Sequence, residues 1–401
     1  MRGNGQYKKR IEFKSLKLHD QIHFDQLHTV FFTRRVPLNQ IYSRRKFIAA
    51  SAAGVGGLAL ARFFPAFGEE YKGGWVNGMR INPAIDNLRV VNCIDPAMIA
   101  SDPKNWDIVS QNAPVVAEKV RADLNAMACA LAQKAAPAEA WATIFRKPEA
   151  KNWSAVKVAI KPNGSCKNNT RVAVIDAVCS ALMGLGVLQE NITMYGCHKK
   201  QFSDEALLYQ PMLGKGLPRG IILSKGHDAL GGTIKTEIPK PSAGKVDCAA
   251  ALANGTIDIL VNIATNKGHI LDSVGGLSLT MKNHAGSFEM PLSKHIGGGL
   301  KYIIAFNKSN AILGGAPPRQ QLCIVDSLWG LKKGPPGIPS TRPCSLSMGT
   351  FSPAVDWVVM KRIREPFMAC THPKSLTKML TEFGYHPSEF MNLDFVKVQP
   401  A

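Results

Sequence analysis

The sequence is poor in acidic residues and aromatics, and it has no long hydrophobic run. Its 401 residues hold 29 Asp and Glu against 49 Lys and Arg, a formal net charge of +20. Residues 1–46 carry 11 basic and 3 acidic side chains, which leaves 38 and 26 in the remainder, a balance of +12. A basic body favours anionic partners. Aromatics make up 7% of the chain and do not interleave with basic residues as in nucleic-acid modules, so no nucleic-acid partner is expected. No stretch suits a permanent membrane span, which needs about 20 strongly apolar residues.

The nine cysteines include no CxxC pair. A scattered, odd set excludes a dense disulfide framework and the clustered ligands of an iron–sulfur centre. Most read as small core residues, although an oxidising compartment would allow one or two disulfides that sequence cannot pair. The GxSxG, Walker P-loop and HExxH patterns are missing too, and Gly297-Gly298-Gly299 follows no strand and lacks dinucleotide-loop spacing.

What is present begins with an address. Ser43-Arg44-Arg45-Lys46-Phe47-Ile48 pairs two arginines ahead of Phe47 and an aliphatic, the pattern of a twin-arginine export motif. Ile48 to Leu60 is mildly hydrophobic and rich in Ala and Gly, which suits a signal-peptide h-region. Arg62 interrupts it, and Ala66-Phe67-Gly68 supplies a small-x-small cleavage pattern. Residues 43–68 are therefore expected to be a signal peptide read by the twin-arginine export machinery, giving a soluble periplasmic or otherwise extracytoplasmic protein. Residues 1–42 are polar and aperiodic, with no Met between Met1 and Met79, and read as an extra segment from a start placed too early.

Residues 69–401 alternate strand and helix patterns. "LRVVNCI" from Leu88, Val156–Ile160, Asn191–Tyr195, Gly220–Leu223, "IDILVNIA" from Ile257 and Leu322–Val325 read as strands. Ala113–Lys134, Ala138–Phe145, Arg171–Leu185 and Ser375–Phe383 read as helices, and Ser203 as the N-cap of another with Asp204 and Glu205 in its first turn. Leu331–Pro343 is a Pro/Gly loop. This rhythm predicts an α/β fold with a mostly parallel sheet and helices on both faces.

In such sheets ligands sit beyond the carboxyl ends of the strands. The residues placed there are Lys161 and Asn163, Lys267 and His269, Lys282, Asn283 and His284, and Asp326. Lys161, Asn163, Lys267, Lys282 and Asn283 can hold a phosphate or carboxylate by charge and donated hydrogen bonds. His269 or His284 can serve as general base or metal ligand, and Asp326 can orient a histidine or ligate a cation; His269 and Asp326 are the catalytic candidates, and His269, His284 and Asp326 the candidate metal ligands. Cys197-His198, His227 and His295 are weaker candidates.

The segments "VKVAIKPN", "ITMYG", "ILVNIATNKGH", "GLSLTMKNHAGSF" and "CIVDSLWGLKKGPP" together resemble the bacterial DUF362 family. The resemblance falls on Lys161, Pro162 and Asn163, on Lys267 and His269, on Lys282 and Asn283, and on Asp326. Ser352-Pro353-Ala354-Val355-Asp356 is similar to a late DPVAxD pattern, with Ser for the first Asp. It spans about residues 138–364. Many relatives carry ferredoxin-type cysteine clusters, and that label does not transfer because the spacing is missing here.

The first reading is thus an exported protein with a strand-end Lys/Asn/His/Asp site for a small anion or a metal, with catalysis open. The second is a non-catalytic accessory to an exported redox or metal system. An iron–sulfur carrier is disfavoured by the cysteines.

Overall fold

The computed structural model describes residues 74–401 save 198–199, 272–273, 372–373 and 392. The expected extra segment and export leader, with Arg44, Arg45 and Phe47, lie outside the described residues.

The strands are β1 (Val90–Ile94), β2 (Val158–Pro162), β3 (Ile192–Tyr195), β4 (Ile222–Ser224), β5 (Thr233–Ile238), β6 (Gly244–Ala249), β7 (Ile259–Gly268), β8 (Leu277–Ser278), β9 (Gln320–Leu331), β10 (Ser345–Gly349) and β11 (Phe395–Val398). The main helices are α1 (Ala117–Ala132), α2 (Pro137–Ile144), α3 (Val172–Gly184), α4 (Thr280–Asn283), α5 (Gly299–Asn307), α6 (Ser352–Val359) and α7 (Lys374–Glu382). The main sheet has the order β11-β1-β10-β9-β7-β2-β3-β4, with β8 beside β7. β10 runs against both its neighbours and β8 against β7; every other pair is parallel. β5 and β6 form a separate hairpin.

Both faces of the sheet are covered, as the alternation of elements predicts. Val120, Leu124 and Met127 of α1 and Val174 and Val178 of α3 pack on Val158, Ile160, Val261 and Ile324. On the other face Ile303 and Phe306 of α5, Val355 and Val359 of α6 and Leu376 of α7 pack on Leu260, Cys323 and Val325. Strands buried on two faces need apolar residues at consecutive positions, which is why "ILVNIA" and "LCIV" read as continuous runs. Each such buried side chain contributes about 1.5–3 kcal/mol.

Two strand ends differ from the sequence reading. β7 continues through Thr265, Asn266 and Lys267 to Gly268, and β9 continues past Asp326 to Leu331. Their polar side chains find partners, so the ladder does not stop where apolar residues do. Between Thr265 and Asn266 the register jumps: Thr265 faces Asp326, whereas Asn266 faces Gly330. Such a bulge bends a strand end and re-aims its side chains.

The helix expected after Ser203 is instead two 3-10 turns, Lys200–Glu205 and Leu207–Met212. The first turn is pressed against the strand ends. A Cβ at Gly164 would stand 2.7 Å from Glu205 O, and one at Gly196 2.8 Å from Ser203 O. Glycine at both positions is what admits this close approach. Among the described residues no helix is long and apolar enough to cross a membrane.

Candidate functional site

Four of the expected residues meet at the carboxyl ends of β2 and β7. The Lys267 amine donates to Asn163 Oδ1 at 2.6 Å and to Ser165 O at 2.5 Å. Asn163 Nδ2 donates to Asn283 Oδ1 at 3.2 Å, and Asn283 Nδ2 donates to Lys161 O at 3.1 Å and Asn262 Oδ1 at 2.8 Å. The Lys161 amine turns to Pro162 O at 2.9 Å and pairs with Glu205 Oε2 at 3.2 Å. All are buried. The approach is so close at Gly286 that a Cβ there would fall 2.5 Å from Lys161 Cε.

Lys267 makes no ion pair among the described residues, and burial pulls its amine down to about 7. This predicts a pH signature. The unfolded chain holds the proton up to the ordinary lysine value near 10.5, whereas the folded chain gives it up near 7. Stability should therefore rise with pH between those limits, by roughly 4 kcal/mol over three units at most. Urea unfolding of wild type and Lys267→Met at pH 7 and pH 10 checks it. The difference between the two should move in favour of wild type at the higher pH, and an unchanged difference would contradict an unpaired buried amine.

Asp326 does not join this group. It lies in mid-strand on the α1–α3 face, where Oδ2 accepts from the Arg171 amide at 2.8 Å and Oδ1 from the Leu328 amide at 3.1 Å. Burial pushes its carboxyl up, and Arg171, whose Nη1 is 3.8 Å away, pulls it back. A carboxylate at the start of α3 meets the positive end of the helix dipole. The expectation that Asp326 orients a histidine or ligates a cation at the rim is thus corrected: Asp326 accepts from the amide that starts α3 and balances a buried arginine.

His284 is likewise a core residue. Its Nε2 meets Gln320 Oε1 at 2.8 Å and its Nδ1 meets Ser287 Oγ at 3.1 Å, and burial lowers it to about 4. The three candidate metal ligands therefore sit in three settings. Among the described residues no group of three or more His, Cys, Asp or Glu could hold a metal ion. None of the nine cysteines is in a disulfide. His227 Nε2 lies 2.8 Å from Gly286 O, and His198 is outside the described residues.

His269, one residue past β7, occupies a different place. It lines a cleft of about 590 Å³ together with Lys332, Lys333, Arg364, Cys370 and Lys374. Its ring is 5.1 Å from that of His295, edge to face. Burial, then the nearby charges of Lys282 and His295, lower it to about 3, so the ring is neutral at pH 7. The Leu271 amide donates to Nδ1 at 3.1 Å. The ring proton therefore sits on Nε2, a buried donor with no partner among the described residues. That makes His269 a hydrogen-bond donor rather than a base.

The sequence reading did not single out Arg364. It ends a π-helical turn, Met360–Arg364, that continues α6 into a last turn, Glu365–Met368. Pro366 has no amide to return to residue 362, which breaks the helical ladder at that point. The wider turn carries Arg364 inward, to 1% exposure. Its Nη1 donates to Asn266 Oδ1 at 2.5 Å and Leu331 O at 3.3 Å, and Nη2 to Lys332 O at 2.9 Å. Among the described residues its Nε and the Asn266 Nδ2 have no partner. Gly268 makes room, since a Cβ there would stand 2.9 Å from Arg364 Nη2. Arg364 makes no ion pair with any described residue. Pro366 inside a helical run was the available signal.

Asp356, the second acid of the late motif, orients the Lys282–Asn283 segment from below. Its carboxylate accepts from Thr280 N at 2.9 Å, Thr280 Oγ1 at 2.5 Å and Met281 N at 3.0 Å, which caps α4. Ser352, at the first position, bonds Gln320 instead.

Compared with protein-family models, with curated proteins and with solved structures, the chain matches none.

Proposed function

We propose that this chain is an exported, DUF362-like protein whose basic cleft at the ends of β7 and β9 binds a small oxyanion, a phosphate or a carboxylate. The export part rests on Arg44, Arg45 and Phe47, and the family part on the Lys161-Pro162-Asn163, Lys267–His269 and Lys282-Asn283 motifs.

The observation that carries the binding reading is Arg364: a buried guanidinium without an acidic partner among the described residues. A buried charge is expensive unless it is paired. Lys332, Lys333 and Lys374 stand around the same cleft, and no acidic residue is among its described lining residues. Four like charges repel, so one bound anion relieves both costs at once. Arg364 and the lysines supply charge, and His269 Nε2 supplies a neutral donor. A divalent cation does not suit this wall. Lys161, Asn163, Lys267 and Asn283 brace the neighbouring strand ends.

Isothermal titration calorimetry of the mature protein with inorganic phosphate, and separately with citrate, tests the reading. It predicts saturable one-to-one binding of at least one of them at low salt, weakening as salt is added. Absence of saturable binding of either would reject it.

A further inference from the structure

We infer that Cys370 is the reactive group of the basic cleft and exchanges with a small disulfide carrying negative charge, forming a mixed disulfide. The inference rests on the anion-binding reading above and adds chemistry to it.

Cys370 lies two residues past the end of the helical run that holds Arg364. The chain turns there through Ala369, whose φ of +47° is in the left-handed region. That turn places the sulfur on the cleft wall, half-buried, with Arg364 Nη2 at 3.5 Å. Six of the other cysteines are buried; Cys129 and Cys166 are half-buried. Cys129 Sγ contacts only a backbone carbonyl, Ala135 O, among its described hydrogen bonds. Of the three half-buried cysteines Cys370 is the one among the described lining residues of the basic cleft, whereas Cys166 stands near the buried Lys267. The same cleft is lined by His269, 8% exposed, and by Arg364; the Nε2 of the first and the Nε of the second are buried and have no hydrogen-bond partner among the described residues. These donors and the lysines fit the carboxylates of a peptide-like disulfide.

The chemistry balances without another reactant. The Cys370 thiolate attacks one sulfur of the bound disulfide. A bond forms between Cys370 and that half, the original S–S bond breaks, and the other half leaves as a thiolate. The disulfide is the oxidant, and Cys370 is oxidised by it.

The test uses the reduced mature protein with two probes, oxidised glutathione, which is net negative, and cystamine, which is net positive. Modification at each cysteine is followed in time by peptide mass mapping, at low and at high salt. Phosphate titration is run on the same preparation. The inference expects Cys370 to react with oxidised glutathione on the order of tenfold faster than with cystamine at low salt, a ratio that falls toward unity at high salt. The Lys332→Glu, Lys374→Glu double variant should lose that preference. Cys370 reacting no faster than Cys129, or showing no preference for the negative probe, would overturn the inference. If phosphate still binds in that case, the anion-binding reading survives and the covalent chemistry alone falls.

Discussion

Reversing two charges, Lys332→Glu with Lys374→Glu, is expected to weaken phosphate binding by about two orders of magnitude. Both side chains are exposed on the cleft rim, so neither reversal leaves a cavity or a buried unpaired group. Each exchange replaces an attraction by a repulsion near the anion. At roughly 9 Å and the near-water dielectric of an exposed rim, this amounts to roughly 1–1.5 kcal/mol per site, about tenfold each. The loss should be largest at low salt and shrink as screening grows. Calorimetric titration of wild type and variant, with circular dichroism to confirm the fold, measures it. Unchanged affinity would place the anion elsewhere.

Asp326→Ala is expected to destabilise the fold by about 3–5 kcal/mol, the range for removing one partner of a buried ion pair. Two effects add. The amides of Arg171 and Leu328 lose their acceptor, and α3 starts without its carboxylate cap. Arg171 is left as a buried cation whose Nε and Nη2 already lack a partner among the described residues. The Trp329 ring, 4.7 Å from the guanidinium, offsets part of that but not the full charge. Asp326→Asn keeps an acceptor oxygen and should lose less. Urea unfolding at pH 7 separates this structural role from the catalytic one expected on sequence grounds. A fully stable Asp326→Ala protein would favour the latter.

How far the sequence could be read depends on what each residue does in the core. The runs around Ile259–Ala264 and Leu322–Val325 announce central strands because both faces of each are buried in apolar side chains. The period of Val120, Leu124, Met127 and Leu131 announces α1 for the same reason. Thr265–Gly268 was placed after its strand because polar residues normally end one. Here Thr265 bonds Asn168 O, Asn266 meets Arg364 and Lys267 meets Asn163, so partners far along the chain replace apolar burial. The same holds for Asp326 and for β10, whose Ser345 and Ser347 receive the Asn92 amide.

The strand-end cluster of Lys161, Asn163, Lys267 and Asn283 was legible from the rule that strand ends gather ligands. Its members are bound mainly to one another. The cleft was only half legible. His269 belongs to it, but Lys332 and Lys333 sit in a segment that reads as a Pro/Gly loop, and Lys374 opens a late helix. Arg364 comes in from a helix roughly a hundred residues after β7, turned inward by a π-helical turn whose local signal, Pro366, marks the break but not the partner it brings to Asn266. Glu205 looked like an ordinary first-turn acid until the 3-10 turn brought it to Lys161.

The central claim is that this cleft holds an oxyanion, and occupancy is its most direct test. Crystals of the mature protein grown or soaked with tungstate, a phosphate-shaped anion with a strong anomalous signal, would locate it. The account predicts a peak in the cleft within hydrogen-bond reach of His269 Nε2 or Arg364 Nε, with Lys332 and Lys374 turned toward it. A well-ordered cleft without a peak, in crystals that carry tungstate elsewhere, would contradict it.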